Sequence, residues 1–307
     1  MNKIITFHDI ASRSRFEETI LLLKSMYSIV SIIEIEDFFY NKKNLKNSCL
    51  ITFDDGDISF YQIAYPVLKK HNIPATIFVS PKICKEGKNF WFQELKGYDH
   101  AEMKKIISEF LPMSLDVLKR YPLKAILKCL KIDQIWDIIH IYQSRFNIST
   151  KAIQNLNIKQ LLEIDSDGLV TIGAHTENHP ILSNEEDGKS ENEISNSFIG
   201  LKEILGHEIK YFAFPNGLPG VDFGQREINI LKSNNCKLAF TNNTNNISYQ
   251  TNPLSINRYG LSLGSKSYIK SKLYLGKYWD ISKELITNGE IKKRKEFRKK
   301  LSISVVN

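Results

Sequence analysis

The sequence predicts an α/β fold, a mainly parallel sheet or barrel with helices packed outside it. Three observations carry that prediction. Short apolar runs of strand length alternate with segments of helical periodicity, two adjacent acids close one of those runs, and a block of consecutive helices interrupts the rhythm once. In such folds ligands collect at the C-terminal ends of the strands, where the two acids stand.

Taken in order, "KIITF" (3–7) reads as a first strand, and the residues from 14 to 26 as a helix. The apolar run "YSIVSIIEI" (27–35) reads as the next strand, before "IEDFFYNK" and the strand "SCLITF" (48–53). After the paired acids, Ile58, Tyr61, Ala64, Tyr65, Val67 and Leu68 recur at helical spacing, and "IPATIFVSP" is a strand stopped by Pro81. From 84 to about 160, "HAEMKKIISEF", "SLDVLKRYPLKAILKCL" and "IDQIWDIIHIYQSRF" read as successive amphipathic helices with no strand between them, an α-helical insertion. Strands resume at "LVTIGAH" (169–175), "IKYFAFP" (209–215) and "KLAFTN" (237–242), and "PLSINRYG" (253–260) is expected to be the last. The region from 266 to 307 is expected to be a basic, helical extension.

Composition narrows the function classes. The chain has 307 residues and a formal net charge of +8, much of it from scattered lysines. The densest basic block, "IKKRKEFRKK" (291–300), is read as a solvated tail, with contact to anionic lipid headgroups or nucleic acid as the alternatives; of these, peripheral membrane contact is left open and no nucleic-acid partner is expected. Cys49, Cys84, Cys129 and Cys236 form no CxxC pair and read as reduced thiols. "MNKIITFHDIASRSRFEETI" lacks the pattern of an export signal, and no uncharged apolar run approaches the roughly 20 residues of a membrane span. The expected location is therefore the cytoplasm, with peripheral contact at the inner membrane face left open.

Three short segments carry candidate chemistry. In "ITFDDG", Asp54 and Asp55 follow a strand and precede Gly56; alternation along a strand points neighbouring side chains to opposite faces, so the two acids can serve different partners. A solvated turn explains them equally well in isolation. In "GAHTENHP", His175 and His179 are four apart, and on a helical turn that spacing brings both imidazoles to one face, where they can bind one metal ion. Two histidines and a carboxylate with open positions make a hydrolytic metal site. In "YFAFPNG", a turn after Pro215 can aim the amide of Asn216 at an oxyanion.

Together, in this order, "TFDDG", "HTENH" and "FAFPNG" resemble the three motifs of the polysaccharide deacetylase family, the NodB-homology or carbohydrate esterase family 4 group. The resemblance spans roughly residues 3–85 and 157–262. It implies a distorted (β/α) barrel occupying 1–265, interrupted by the insertion. It implies a divalent cation, usually zinc, held by Asp55, His175 and His179, with Asp54 as general base, Asn216 as oxyanion donor and Pro215 beside it as a substrate contact. The implied activity is hydrolysis of an N-acetyl group from a sugar of a bacterial glycan, or of its lipid- or nucleotide-linked precursor.

Two departures from the commoner family pattern stand out. Ala213 occupies the position where an arginine often orients the base, and Arg258 in "PLSINRYG" is the candidate replacement. No histidine follows His207, so the usual C-terminal Leu-x-His acid is missing; His8 in "ITFHDI", which resembles the start of a permuted branch of the family, is the candidate acid, with Asp9 to orient its ring. Trp91 and Phe92 in "NFWFQEL" are candidates for stacking on sugar faces, against the alternative that they pack the insertion onto the barrel. A same-fold enzyme for O-acetyl, formyl or other acyl groups, or a glycan-binding relative without turnover, are the remaining readings.

Overall fold

The structure, a computed structural model, describes residues 1–276, 278–279 and 289–306. Among these, eight strands form one parallel sheet: β1 (Lys3–Phe7), β2 (Ser28–Ile29), β3 (Ser48–Phe53), β4 (Ala75–Val79), β5 (Val170–Ala174), β6 (Tyr211–Ala213), β7 (Leu238–Phe240) and β8 (Tyr259–Gly260). Their order is β7-β6-β5-β4-β3-β1-β8, with β2 against β3. The path nearly closes on itself. Ile256 bridges Phe240 of β7, and three residues later β8 pairs with Ile5 and Thr6 of β1. The run 253–260 is thus a bent closing segment rather than one regular strand, which makes the barrel a distorted one.

Alternation along the strands sorts their residues into two cores. Ile4, Leu50, Phe78, Tyr211, Ala213, Leu238, Phe240 and Ile256 share one apolar cluster with Ile32, Ile35 and Phe38 of the helix Ile32–Tyr40. Ile5, Ile51, Phe53, Ile77, Val79, Ile172 and Phe212 face the surrounding helices in a second, larger cluster. Gly173 belongs to the first face. A Cβ there would lie 2.6 Å from the Phe78 ring, so only glycine lets that phenylalanine pack.

Helical spacing placed the first helix correctly, at Arg13–Met26. The run 27–35 is different from its expected strand: only Ser28–Ile29 pairs, because Ser31 and Glu34 form a capping box that starts a helix at Ile32. Past the acids, a π-helical turn over Phe60–Ala64 leads into a helix at Tyr65–His71, which ends on left-handed Asn72.

Between β4 and β5 lie the helices of the insertion, Trp91–Glu94, His100–Phe110, Leu115–Leu118, Leu123–Leu127 and Ile132–Phe146. They bury Met103, Ile107, Ile126, Ile135 and Ile139 in a core of their own. That core also takes Phe297 from the helix Glu290–Val306, so the basic block is not the solvated tail expected of it. Arg294 and Phe297 sit three apart on one helix face and are buried, while Lys292 and Lys295 are exposed. Residues 277, 280–288 and 307 of the expected helical extension lie outside the described residues.

Arg294 forms a buried ion pair with Asp222, whose other oxygen accepts the Leu218 amide at 3.0 Å. Asp222→Ala strands that guanidinium and is expected to lower unfolding stability by about 3–5 kcal/mol in urea titration. Asp116→Ala, which removes an exposed partner of Lys119, is expected to change it by less than about 1 kcal/mol. Equal effects would mean that the C-terminal helix is not docked.

Candidate active site

Asp54 continues the inward-facing series Leu50, Thr52 of β3, and its amide donates to the Phe7 carbonyl at 3.1 Å. Asp55 then adopts φ +70°, a left-handed conformation that interrupts the alternation. The pair therefore does not point to opposite faces, as strand geometry alone would have it. Both carboxylates enter the same buried site, and their neighbours separate them.

Asp54 is gripped from one side by Arg258. Nη1 and Nη2 donate to its two oxygens at 2.7 Å each, a planar two-bond pairing with both residues almost wholly buried. Arg258 comes from the closing segment, and Phe78 and Phe240 flank its guanidinium at 5.7 and 5.9 Å. Burial works against the ionised form of Asp54, but the charge and hydrogen bonds of Arg258, together with the nearby imidazoles, outweigh it and hold the carboxyl below its usual range. Ala213 leaves an inward position small, and Arg258 brings its guanidinium to Asp54 from the closing segment. The His8 ring, half exposed, places Nε2 3.8 Å from Oδ2 of Asp54, the oxygen that also accepts from Arg258 Nη2. No hydrogen bond joins Asp9 to that ring among the described residues, so the orienting contact expected of Asp9 is not made.

Asp55 faces two imidazoles. Its Oδ1 lies 3.3 Å from Nε2 of His175 and 3.4 Å from Nε2 of His179, and the three donor atoms fall within 4.8 Å of one another. Although buried at ion-pair distance, Oδ1 accepts no hydrogen bond. The His175 Nδ1 contacts the Ala213 carbonyl at 2.7 Å; a carbonyl only accepts, so Nδ1 carries the proton and the Nε2 lone pair is turned toward Asp55. An acceptor nitrogen facing an orphaned carboxylate oxygen is a donor set for a cation. Burial pushes the His179 imidazole down to about 4, which keeps it neutral, as a ligand must be, at pH 7. For His175 burial acts the same way, but Asp55 and Asp54 outweigh it and its pKa is raised.

The expected helical turn is absent from the histidine motif. Thr176 and His179 have φ of +62° and +57°, and the segment is a loop. Such conformations are costly for a threonine or histidine and require outside support. The Thr176 hydroxyl accepts the His179 amide at 3.1 Å, and Glu193 accepts the amides of Glu177 and Asn178 at 3.1 and 2.9 Å. Glu193 lies on the buried face of the helix Asp187–Leu205, a polar residue in an apolar register that sequence reading passed over.

At the third motif, Gly217 N–H donates to the Pro215 carbonyl at 2.6 Å, closing a three-residue turn on left-handed Asn216. Pro215 itself is buried within the turn and offers no open face for a sugar. The Asn216 Nδ2 is buried without a partner, a second donor beside the expected backbone amide. Asn242, another residue not anticipated, ties this turn to the Arg258–Asp54 pair. It donates through Nδ2 to the Asn216 carbonyl at 2.7 Å and through its amide to Gly217 at 2.8 Å, while its Oδ1 accepts from Arg258 at 3.3 Å. The only sequence signal was a polar pair, "TN", at a strand end.

Trp91 does not serve as a stacking platform. It is 2% exposed, and its Nε1 donates to the His179 carbonyl at 3.2 Å. Phe92 is partly exposed, with its ring edge-on to His179 at 5.0 Å.

A family-level sequence description, polysaccharide deacetylase, matches residues 41–227. Poly-beta-1,6-N-acetyl-D-glucosamine N-deacetylase of Staphylococcus aureus is 44% identical over 71 residues, a stretch covering 22% of this chain and 24% of that enzyme. Two solved structures share the fold: Streptococcus pyogenes deacetylase PplD in complex with acetate (TM-score 0.59, 19% identity, 88% of this chain and 97% of that one) and IcaB from Ammonifex degensii (0.58, 19%, 88% and 95%). With a sequence match that takes in more than half of the chain and a half-barrel carrying the three motifs at one mouth, the chain belongs to the polysaccharide deacetylase family.

Proposed function

We infer that the protein is a metal-dependent hydrolase that removes an N-acetyl group from a sugar of a bacterial glycan or of its lipid- or nucleotide-linked precursor. The observation that carries this reading is the division of labour between two adjacent acids. Asp54 is held as a carboxylate by Arg258, and Asp55 meets two imidazoles with an oxygen that accepts no hydrogen bond. Asp55, His175 and His179 suit a divalent cation, and zinc matches a donor set of two nitrogens and a carboxylate. When bound there, such an ion polarises the acyl carbonyl and lowers the pKa of a coordinated water to about 7.

The chain's own groups supply the proton transfers. Asp54 takes a proton from the attacking water, and Asn216 donates to the acyl oxygen as it gains charge. The new C–O bond forms, the C–N bond breaks, and His8 delivers a proton to the leaving amine, giving acetate and a free amino sugar. Arg258 positions the base. The partly exposed Phe92 remains a candidate sugar contact; Trp91 and Pro215 do not, since both are buried. The reading keeps the protein in the cytoplasm, with exposed Lys292 and Lys295 available to an anionic membrane face.

Incubation with N-acetylglucosamine oligomers and lipid- or nucleotide-linked precursors, followed by assay of acetate and free amine together, tests the reaction. Acetate released without amine, and only from O-acetylated sugars assayed in parallel, would indicate an O-deacetylase, and release from neither set a binding relative. His8→Ala is expected to lower turnover by about 10²–10⁴-fold with little change in KM. Unchanged turnover would move the acid role elsewhere.

A further inference from the structure

The helical insertion has no part in the proton transfers, yet both of its ends reach the loops that carry the metal-ligand candidates. At its exit, the Leu156 amide donates to the Gly56 carbonyl at 2.8 Å and the Ile58 amide to the Gln154 carbonyl at 2.8 Å, with Asp57 and Asn155 bridged antiparallel. This fastens the segment immediately after Asp55. At its entry, Trp91 Nε1 holds the His179 carbonyl, and the Phe90 and Phe92 rings stand edge-on to the imidazole at 5.4 and 5.0 Å.

The two ends are joined to each other by buried amides. Gln93 Nε2 donates to Asn155 Oδ1 at 2.9 Å, Asn155 Nδ2 donates to Gln93 Oε1 at 2.9 Å and to the Lys88 carbonyl at 2.8 Å, and the Asn89 oxygen accepts the Gln154 amide at 2.9 Å. Each buried amide has a partner, so the neck is fixed in one arrangement. Aspartate and histidine loops far apart in sequence are thereby spaced by one rigid piece.

We propose that the neck of the insertion, residues 88–94 and 151–156, is a clamp that sets the ligand spacing of the cation site, and that Trp91 is its positioning residue for His179. The inference rests on the reading of Asp55, His175 and His179 as a metal site. His179 needs such support because its left-handed backbone is unfavourable for a histidine: the Thr176 hydroxyl fixes the amide and the indole fixes the carbonyl. Groups that orient ligands in this way set metal affinity by about 10–100-fold.

The test is direct titration of the full chain with Zn²⁺ and, separately, Co²⁺, whose visible spectrum reports ligand geometry. Trp91→Phe keeps an aromatic ring and removes the N–H donor; it is expected to weaken binding about 10–100-fold and to change the Co²⁺ spectrum. Tyr98→Phe, which removes a bond from Gln143 within the insertion, is the control expected to leave both unchanged. Should Trp91→Phe fail to fold, Asn155→Ala loosens the same neck and is expected to weaken binding in the same direction. Wild-type affinity and spectrum in these neck variants would overturn the clamp while leaving the metal site standing. Weakening by Tyr98→Phe to the same extent would also overturn it, as general destabilisation. Absence of binding in the wild-type chain would instead remove the metal reading, and the clamp with it.

Discussion

The Asp54→Asn protein is expected to keep its divalent cation and to release acetate about 10²–10⁴-fold more slowly than wild type. The substitution removes the proton-accepting group but none of the three atoms that converge beside it, Asp55 Oδ1 and the Nε2 atoms of His175 and His179. The variant also takes the negative charge from a buried ion pair. Arg258 then faces a neutral amide, and stability is expected to fall by about 3–5 kcal/mol. Activity is therefore to be measured on protein whose circular dichroism shows it folded. Because the folded-state carboxyl lies below the ordinary value of about 4, the pair stabilises the wild-type fold above that pH. That stabilisation is lost as the pH falls through the folded-state value, and Asp54→Asn should lack this acid-side dependence. Retention of full turnover would remove Asp54 from the role of base.

The second large effect is the one expected from removing the proposed cation. A chelator is expected to abolish acetate release, and added Zn²⁺ to restore it. His179→Ala is expected to abolish it without rescue at stoichiometric metal, because one of three protein ligands is gone. The fold should tolerate this loss better than that of Asp54. His179 Nδ1 has no hydrogen-bond partner to strand, whereas Asp54 carries two short bonds from a buried guanidinium. Turnover that survives chelation would show that the imidazoles serve some purpose other than holding a metal.

The barrel and its principal acids were legible because strand periodicity is a local signal. Leu50, Thr52 and Asp54 follow it up to the last residue before the turn. Backbone conformation was not legible in the same way: Asp55, Thr176 and His179 are left-handed, and the His179 carbonyl is held by Trp91, far along the chain, so neither the convergence of both carboxylates nor the non-helical histidine loop followed from spacing. Nor did the burial of Trp91. An aromatic residue at the mouth of an insertion reads equally well as an exposed platform or as packing, and the decision lies with the His179 carbonyl 88 residues away. Asn242 and Glu193 escaped for a related reason, since their work is to hold loops rather than to react. The C-terminal block misled through composition. Its lysines are solvated on one face, but Arg294 and Phe297, three apart, fasten the other.

Metal content after equilibration with Zn²⁺ and removal of excess, compared between wild type and Asp55→Ala, tests most directly the proposal that one cation is shared by the two loops. One equivalent per wild-type chain and essentially none in the variant is the predicted result. A wild-type chain that retains no metal, or a variant that retains as much, would contradict it.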